Sequence, residues 1–221
     1  MGLRRSAMRR GLPAFVLVSA ALAVAGLSGA AYSATRLSVG SCGSVLLAGT
    51  SWLGGDGVDV RSNGADQGTA KECSKTLSMV RGVAAGERWQ CVELVNRLYL
   101  TRGWIHSPWN GDGDQMFANA PRNLAKQVNG SIASVSAGDV VSIRETHNGD
   151  RRPHGHTAIV DTNGSVTSGT VPLINQNGGS RAYPLVISYA YLSHGRLTLP
   201  GGSGWKYTVV GVVDAPDGTT T

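Results

Sequence analysis

One run of the chain has the spacing of an amphipathic helix, and it constrains the fold more than any other segment. Between Trp89 and Thr101, residues Cys91, Val95, Leu98 and Tyr99 recur at helical intervals and therefore share one side. Several short apolar runs with the length of strands follow it, at 140–144, 157–162, 172–177, 186–192 and 206–214. A helical pattern that is followed along the chain by several strands predicts an α+β fold, with the helix packed on a mainly antiparallel β-sheet.

Two further predictions concern the segments around this helix. A second helical pattern runs from Asp114 to Gln127, although Pro121 would divide it into two short helices. Upstream, the loop-rich region contains two candidate strands, Ser44–Leu47 and Val58–Arg61.

The first thirty residues have the three-part layout of a secretory signal peptide. Arg4, Arg5, Arg9 and Arg10 precede an apolar stretch at 12–27, and small residues follow that stretch. We expect cleavage after position 30 or 33 and a secreted or cell-wall protein. The alternative is an uncleaved anchor, since the stretch approaches the ~20 residues of a membrane span.

Export changes the interpretation of the charge. The full chain has 20 basic and 14 acidic residues and a net charge of +6, but four basic residues and no acidic ones lie in the signal. The remaining +2 does not require an anionic partner, so no nucleic-acid binding is expected. After cleavage we also expect no stable membrane association, and a monomer.

The three cysteines all lie downstream of the signal, and an odd number leaves one thiol over. Cys42 and Cys73 lie in the Gly- and Ser-rich segment 31–85 and can pair in an oxidising compartment. That leaves Cys91 as the free thiol. The alternative is that Cys91 is only a small buried residue and the pairing differs.

Cys91 at a helix start and His156 at the start of a later strand are the two parts that a cysteine hydrolase needs. The helix N-terminus favours the thiolate, because its N–H groups and the macrodipole stabilise negative charge. The thiolate attacks, and the imidazole transfers the proton.

A hairpin supplies a third candidate. The turn begins at Asn163-Gly164, and a symmetric hairpin centred between Ser165 and Val166 places Asn175 opposite His156, with Asn177 on the same face. An amide oxygen at position 175 can fix the tautomer of the imidazole. Asp or Glu at this position is expected to retain activity, because a carboxylate orients the ring and adds charge.

Four blocks of the chain together resemble the signature of the CHAP family, the cysteine, histidine-dependent amidohydrolases/peptidases. In chain order the blocks are Trp89-Gln90-Cys91-Val92-Glu93, Gly138-Asp139-Val140-Val141, Gly155-His156-Thr157-Ala158-Ile159-Val160 and Ile174-Asn175-Gln176-Asn177. The resemblance implies a papain-like α+β fold with an N-terminal catalytic helix, and cleavage of amide bonds in peptidoglycan. It covers roughly 86–178 of a catalytic domain expected at 86–216, between the segment 31–85 and a tail at 217–221.

The resemblance also implies roles for five residues. Cys91 matches the nucleophile, His156 the base, Asn175 the third residue and Asn177 a second polar residue of the site. Gln90 is expected to donate to the oxyanion, as in papain-like enzymes. Many members carry Glu where this chain has Asn, which orients the imidazole but does not stabilise its cation by charge.

Two function classes remain open from the sequence. The first is a secreted amidase or endopeptidase that acts on peptidoglycan without a cofactor. The second is a secreted binding or antigen-like module that keeps the fold with little turnover. The three chemical residues favour the enzyme.

Other motifs have less specific interpretations. His154 and His156 form a possible metal pair, but no further ligand completes it, so no metal site is expected. Asp112 and Asp114 lie in a segment similar to a calcium loop that lacks its closing Glu. Two tryptophans, Trp104 and Trp109, are candidates for lining a glycan cleft or for ordinary packing.

The cysteine assignment gives the first prediction. The mature protein under non-reducing conditions should contain one titratable thiol and one disulfide. Mass spectrometry after iodoacetamide treatment should find the label on Cys91 and a peptide that links Cys42 to Cys73. Three labelled cysteines would contradict the bridge.

Overall fold

A computed structural model of the protein describes residues 41–64, 76–180 and 183–216. The predicted signal peptide, Cys73 and the tail lie outside the described residues. The described residues all belong to one compact unit, Tyr32–Thr221. Within these ranges, none of the helices has the length and apolar character needed to cross a membrane.

The described residues form mostly β-structure with a single α-helix. The strands are β1 Val45–Leu47, β2 Val60–Arg61, β3 Leu77–Val80, β4 Val83–Glu87, β5 Lys126–Val128, β6 Val140–His147, β7 Asp150–Arg151, β8 His156–Val160, β9 Gly169–Ser180, β10 Tyr183–Ser193, β11 Arg196–Thr198 and β12 Trp205–Val213. The helix, α1, is Cys91–Arg102. Because four strands precede it, the expectation of a helix at the N-terminus of the fold is not met.

One eight-stranded sheet organises the fold. Its order is β11-β10-β9-β8-β6-β12-β5, with β7 paired to β6, and β1-β2 and β3-β4 form two separate hairpin-like pairs. All of the described strand pairs are antiparallel, as predicted. The β3-β4 pair was not among the predicted strands.

Helix α1 forms where its apolar periodicity predicts. Val95, Leu98 and Tyr99 are fully buried, and the helix ends at Gly103, whose φ of 72° and N–H bond to the carbonyl of Leu100 close the last turn. Only glycine adopts this left-handed conformation without steric cost. The C-terminal end of the helix is therefore determined locally, by the glycine at position 103.

The central strands place their side chains on both faces of the sheet. Ile159 and Ile174 pack in the same hydrophobic cluster as the core side of α1. Their neighbours Ala158, Val160 and Leu173 belong to a second cluster. Residues on both faces of β8 are therefore buried, which explains why the strand is apolar from Ala158 to Val160.

The predicted second helix at 114–127 is wrong. Only a three-residue 3-10 helix, Gly113–Gln115, forms there, and β5 occupies the end of the segment by pairing with β12. Pro121 lacks an N–H and disfavours helical backbone before it. The apolar residues Met116 and Leu124 are buried nonetheless. The apolar spacing of this segment therefore reflects which side chains are buried and not a helical conformation.

The 3-10 helix packs directly against the start of β8. A Cβ at Gly113 would overlap the backbone of His156, at 2.6 Å from its Cα. The carbonyl of Gly113 also accepts a hydrogen bond of 2.7 Å from Ser142 Oγ on β6. The absence of a side chain at position 113 therefore permits the close approach that sets the position of His156.

This contact gives the second prediction. Gly113→Ala should destabilise the protein by about 1–3 kcal/mol, because backbone must move to admit the methyl group. Thermal unfolding should show a Tm lower by several degrees. The matched control is Gly164→Ala, where a Cβ would meet nothing within 4 Å. Equal Tm values for the two variants would contradict the packing argument.

Candidate active site

Cys91 is the first residue of helix α1 and carries a free, half-buried thiol. Gln90 before it has extended backbone at φ −78° and ψ 160°, and its carbonyl accepts the N–H of Leu94 to begin the helix. The N–H groups of the first turn lack intrahelical acceptors. The thiol therefore lies beside the partial positive charge of the helix N-terminus.

His156 is the first residue of β8 and is 9% exposed. It forms a side-chain hydrogen bond with Cys91, and its Nε2 lies 3.1 Å from Oδ1 of Asn175. An amide oxygen only accepts, so Nε2 donates its proton to Asn175, and Nδ1 is the ring nitrogen that remains to interact with the thiol. The structure thus brings the three predicted residues into one hydrogen-bonded row.

The register between β8 and β9 differs from the symmetric hairpin. The predicted pairing puts Ile159 opposite Pro172, whereas the structure pairs it with Ile174, a shift of two residues. An even shift keeps every side chain on its predicted face, since side chains alternate along a strand. His156 therefore meets Asn175 as a diagonal neighbour and not as a directly opposed one.

The amide of Asn175 is oriented by its own hydrogen bonds. Its Nδ2 donates to Oγ of Ser188 at 2.9 Å and to the carbonyls of Leu173 and Val186 at 3.3 and 3.5 Å. With the amide nitrogen committed to these acceptors, Oδ1 faces His156.

The sequence alone leads to the expectation that Asp or Glu at position 175 retains activity, and these acceptors favour the neutral amide over either carboxylate. A carboxylate would place a negative oxygen against two carbonyls at a position that is 3% exposed. His156 and the Ser188 hydroxyl could still donate to such a carboxylate, but a buried negative charge that also faces two acceptors is costly. The neutral amide therefore fits this environment better than the carboxylate does.

The pKa of His156 reflects opposing effects. Burial lowers it, but the charge of the Cys91 thiolate, the hydrogen bond with Cys91, the Glu145 carboxylate and the hydrogen bond with Asn175 together raise it from 6.5 to about 9. The ring therefore stays protonated at neutral pH, and loses its proton as the pH rises through about 9. Glu145 contributes part of the charge that a neutral Asn175 cannot.

Gln90 and Asn177 meet beside the thiol. Nδ2 of Asn177 donates to Oε1 of Gln90 at 2.7 Å. This bond occupies the oxygen of the Gln90 amide and leaves its Nε2 as the available donor. Asn177 has a left-handed backbone, with φ of 55°, a conformation that asparagine tolerates better than most residues.

A buried polar network that is not among the predicted site residues joins helix α1 to β9. Nε2 of Gln176 donates to the carbonyl of Gln90 at 2.9 Å and to Oε2 of Glu93 at 2.6 Å. Glu93 also accepts from Nε of Arg97 at 2.6 Å and from Oγ of Ser78 at 2.6 Å. A signal for it existed, because Gln176 points away from its neighbour Asn175 and Glu93 has an arginine four residues later.

Glycine also allows close packing at the imidazole. A Cβ at Gly178 would lie 3.4 Å from Nε2 of His156 and 3.3 Å from Cβ of Asn175. The backbone of β9 therefore covers the hydrogen bond between these two side chains and helps to exclude water from it.

The less specific motifs are accounted for by other contacts. His154 is exposed and pairs with Asp112 at 3.2 Å, so it does not converge with His156. Asp114 pairs with Arg151 at 2.6 Å instead of forming an open calcium loop. In the described ranges, no three His, Cys, Asp or Glu side chains are grouped as metal ligands. Trp109 is 2% exposed and packs in the core.

Comparison with known proteins identifies one similarity. Residues 82–177 match the family model of the CHAP domain, a segment that contains all five predicted site residues. A search of curated proteins finds no match to the chain.

The electrostatics of the site give the third prediction. In Cys91→Ser the thiolate charge is gone and burial of the ring remains, so the pKa of His156 should fall from about 9. An NMR titration of the imidazole Cε1–H signal in both proteins would measure the change. Circular dichroism should confirm that both are folded. An unchanged His156 titration would show that Cys91 does not hold the ring in its charged form.

Proposed function

Residues 82–177 of this chain belong to the CHAP domain family, and from this premise we propose that the protein is a cysteine hydrolase that cleaves an amide or peptide bond in cell-wall peptidoglycan. The family implies hydrolase activity of the amidase or peptidase class. We assign nucleophile, proton carrier and orienting residue to Cys91, His156 and Asn175. The observation that carries the assignment is the row of hydrogen bonds that joins these three side chains.

The first half of the reaction forms an acyl-enzyme. The Cys91 thiolate attacks the carbonyl carbon, and the negative charge moves to the carbonyl oxygen. The backbone N–H of Cys91 and Nε2 of Gln90 are the donors that face this oxygen. As the intermediate collapses, the C–N bond breaks and the leaving amine takes the proton of the His156 imidazolium.

The second half releases the acid. The neutral His156 accepts a proton from water, and the hydroxide formed in this step attacks the thioester carbon. The C–S bond breaks, Cys91 returns to the thiolate and His156 to the imidazolium. Both halves use the same row of residues, so no cofactor is required.

The arrangement supports a papain-like site. A cysteine opens the helix, and histidine and asparagine come from adjacent antiparallel strands. Asn177 donates to Oε1 of Gln90 and so positions the Gln90 amide, whose Nε2 is the proposed oxyanion donor. The intact hydrogen-bonded row favours an enzyme over the alternative of a surface module without turnover.

We also propose secretion. The support comes from the sequence of residues 1–30, with its basic start, apolar stretch and small residues. Peptidoglycan lies outside the cell membrane, so export and the proposed substrate agree.

The fourth prediction tests the reaction. Purified peptidoglycan treated with the parent protein should release fragments with a new amine and a new carboxylate, identified by mass analysis. Cys91→Ala should abolish the release with Tm nearly unchanged. His156→Ala should lose a factor of roughly 10²–10⁴ in rate. The matched control is His154→Ala, an exposed histidine two residues away, which should remain active.

Variants of Asn175 are tested in the same digestion of peptidoglycan. Asn175→Ala should lose less activity than His156→Ala, because the imidazole remains but is less well oriented. Asn175→Asp should also lose activity, and with a lower Tm, because its carboxylate faces the carbonyls of Leu173 and Val186. Full activity in Cys91→Ala would rule out the mechanism, and full activity in Asn175→Ala would remove that residue from it.

A further inference from the structure

A cavity of about 480 Å³ lies near the C-terminal end of helix α1. Trp104, Pro108 and Pro121 form partly buried parts of its wall. The volume falls within the ~300–1,000 Å³ of typical small-molecule sites. Cys91 lies at the other end of the helix, about 18 Å away along its axis. The cavity is therefore separate from the site of the reaction.

None of the described residues that line the cavity is Asp, Glu, Lys or Arg. Its polar side chains are neutral amides, a hydroxyl and an imidazole, namely Asn110, Asn119, Asn123, Ser107 and His106. All five are exposed, so they are accessible to a ligand. Amide groups both donate and accept hydrogen bonds, which suits neutral hydroxyls and acetamido groups. The aromatic and proline surfaces suit the C–H faces of a sugar ring.

The wall of the cavity is held in place by hydrogen bonds. Asn96 on α1 donates to the carbonyl of Trp109 at 3.1 Å and accepts its N–H at 2.8 Å, and Nε1 of Trp109 donates to the carbonyl of Met116 at 2.9 Å. Asn119 donates to the carbonyl of Asn110 at 3.1 Å. A cavity formed in advance loses little conformational entropy when it binds a ligand.

The wall also leads to the candidate active site. Asn110 lines the cavity, and Gly113, three residues later, packs against the backbone of His156. Three residues of backbone span about 11 Å at most. A ligand whose sugar unit lies in the cavity reaches the thiol when about five residues of extended peptide, roughly 18 Å, separate that sugar from the reacting amide.

We propose that this cavity binds a neutral sugar unit of the substrate, so that the protein holds a saccharide while it cleaves an attached peptide. The second half of this statement rests on the proposed function; the binding of the saccharide does not. Within peptidoglycan, the neutral sugar with acetamido groups belongs to the glycan strand. The cavity would then favour glycan-linked peptides over free peptides.

The test measures binding of chitotetraose, a neutral oligosaccharide with acetamido groups, to the Cys91→Ala protein. Titration followed by ¹H–¹⁵N NMR should shift the side-chain amide signals of Asn110, Asn119 and Asn123. A double variant, His106→Ala with Asn123→Ala, should bind at least about tenfold more weakly, because two hydrogen-bonding side chains are lost. The control is Asn163→Ala, an exposed asparagine at the far end of β8, with unchanged affinity expected.

The outcomes separate this inference from the proposed reaction. No binding of chitotetraose at millimolar concentration, or equal affinity in the double variant and the parent, would overturn the saccharide site. Binding that is lost in the double variant supports it even if the parent does not digest peptidoglycan. In that case the proposed reaction fails and the saccharide site stands.

Discussion

The hydrogen bonds of Gln176 are the interaction on which the geometry of the site depends. This side chain lies on β9 and is 1% exposed, and it binds both the Gln90 carbonyl and the Glu93 carboxylate of helix α1. Its Oε1 also accepts from Nη2 of Arg97 at 3.2 Å. An unsatisfied buried group costs more than a hydrogen bond gains, so this network specifies one relative position of helix and strand. The same strand carries Asn175 next in the chain, which couples the cysteine to the residue that orients the imidazole.

Close approach of backbone is the second requirement. His156 is held between Gly113 on one side and Gly178 near its ring nitrogen. A side chain at position 113 would overlap the backbone of His156, and a side chain at position 178 would crowd its ring nitrogen. The glycine-rich composition of the chain therefore has a specific use here, besides the turns that glycine allows.

The charge of the site is distributed differently from the pattern of many family members. Asn175 is neutral and is surrounded by acceptors, so it orients the ring without charge. The carboxylate of Glu145 on β6 raises the pKa of His156 from another strand. Orientation and charge stabilisation, which one Glu would combine, are here provided by two residues. The substitution of Glu by Asn in the third position is thus partly offset by the surrounding sheet.

The sequence by itself determined the helix to within two residues at either end, Trp89–Thr101 predicted against Cys91–Arg102 observed, because apolar spacing and Gly103 are local signals. It also supplied the residue types on which the proposed chemistry rests. The tertiary structure decided the rest. The register that makes Asn175 a diagonal neighbour of His156 depends on the packing of whole strands. The alternation of side chains along a strand determines only that the two residues share one face of the sheet. The segment 114–127 contains part of a 3-10 helix and part of strand β5, because its end forms backbone hydrogen bonds with β12 at the edge of the sheet. The role of Gln176 likewise depends on what faces it across the fold, which no local pattern contains.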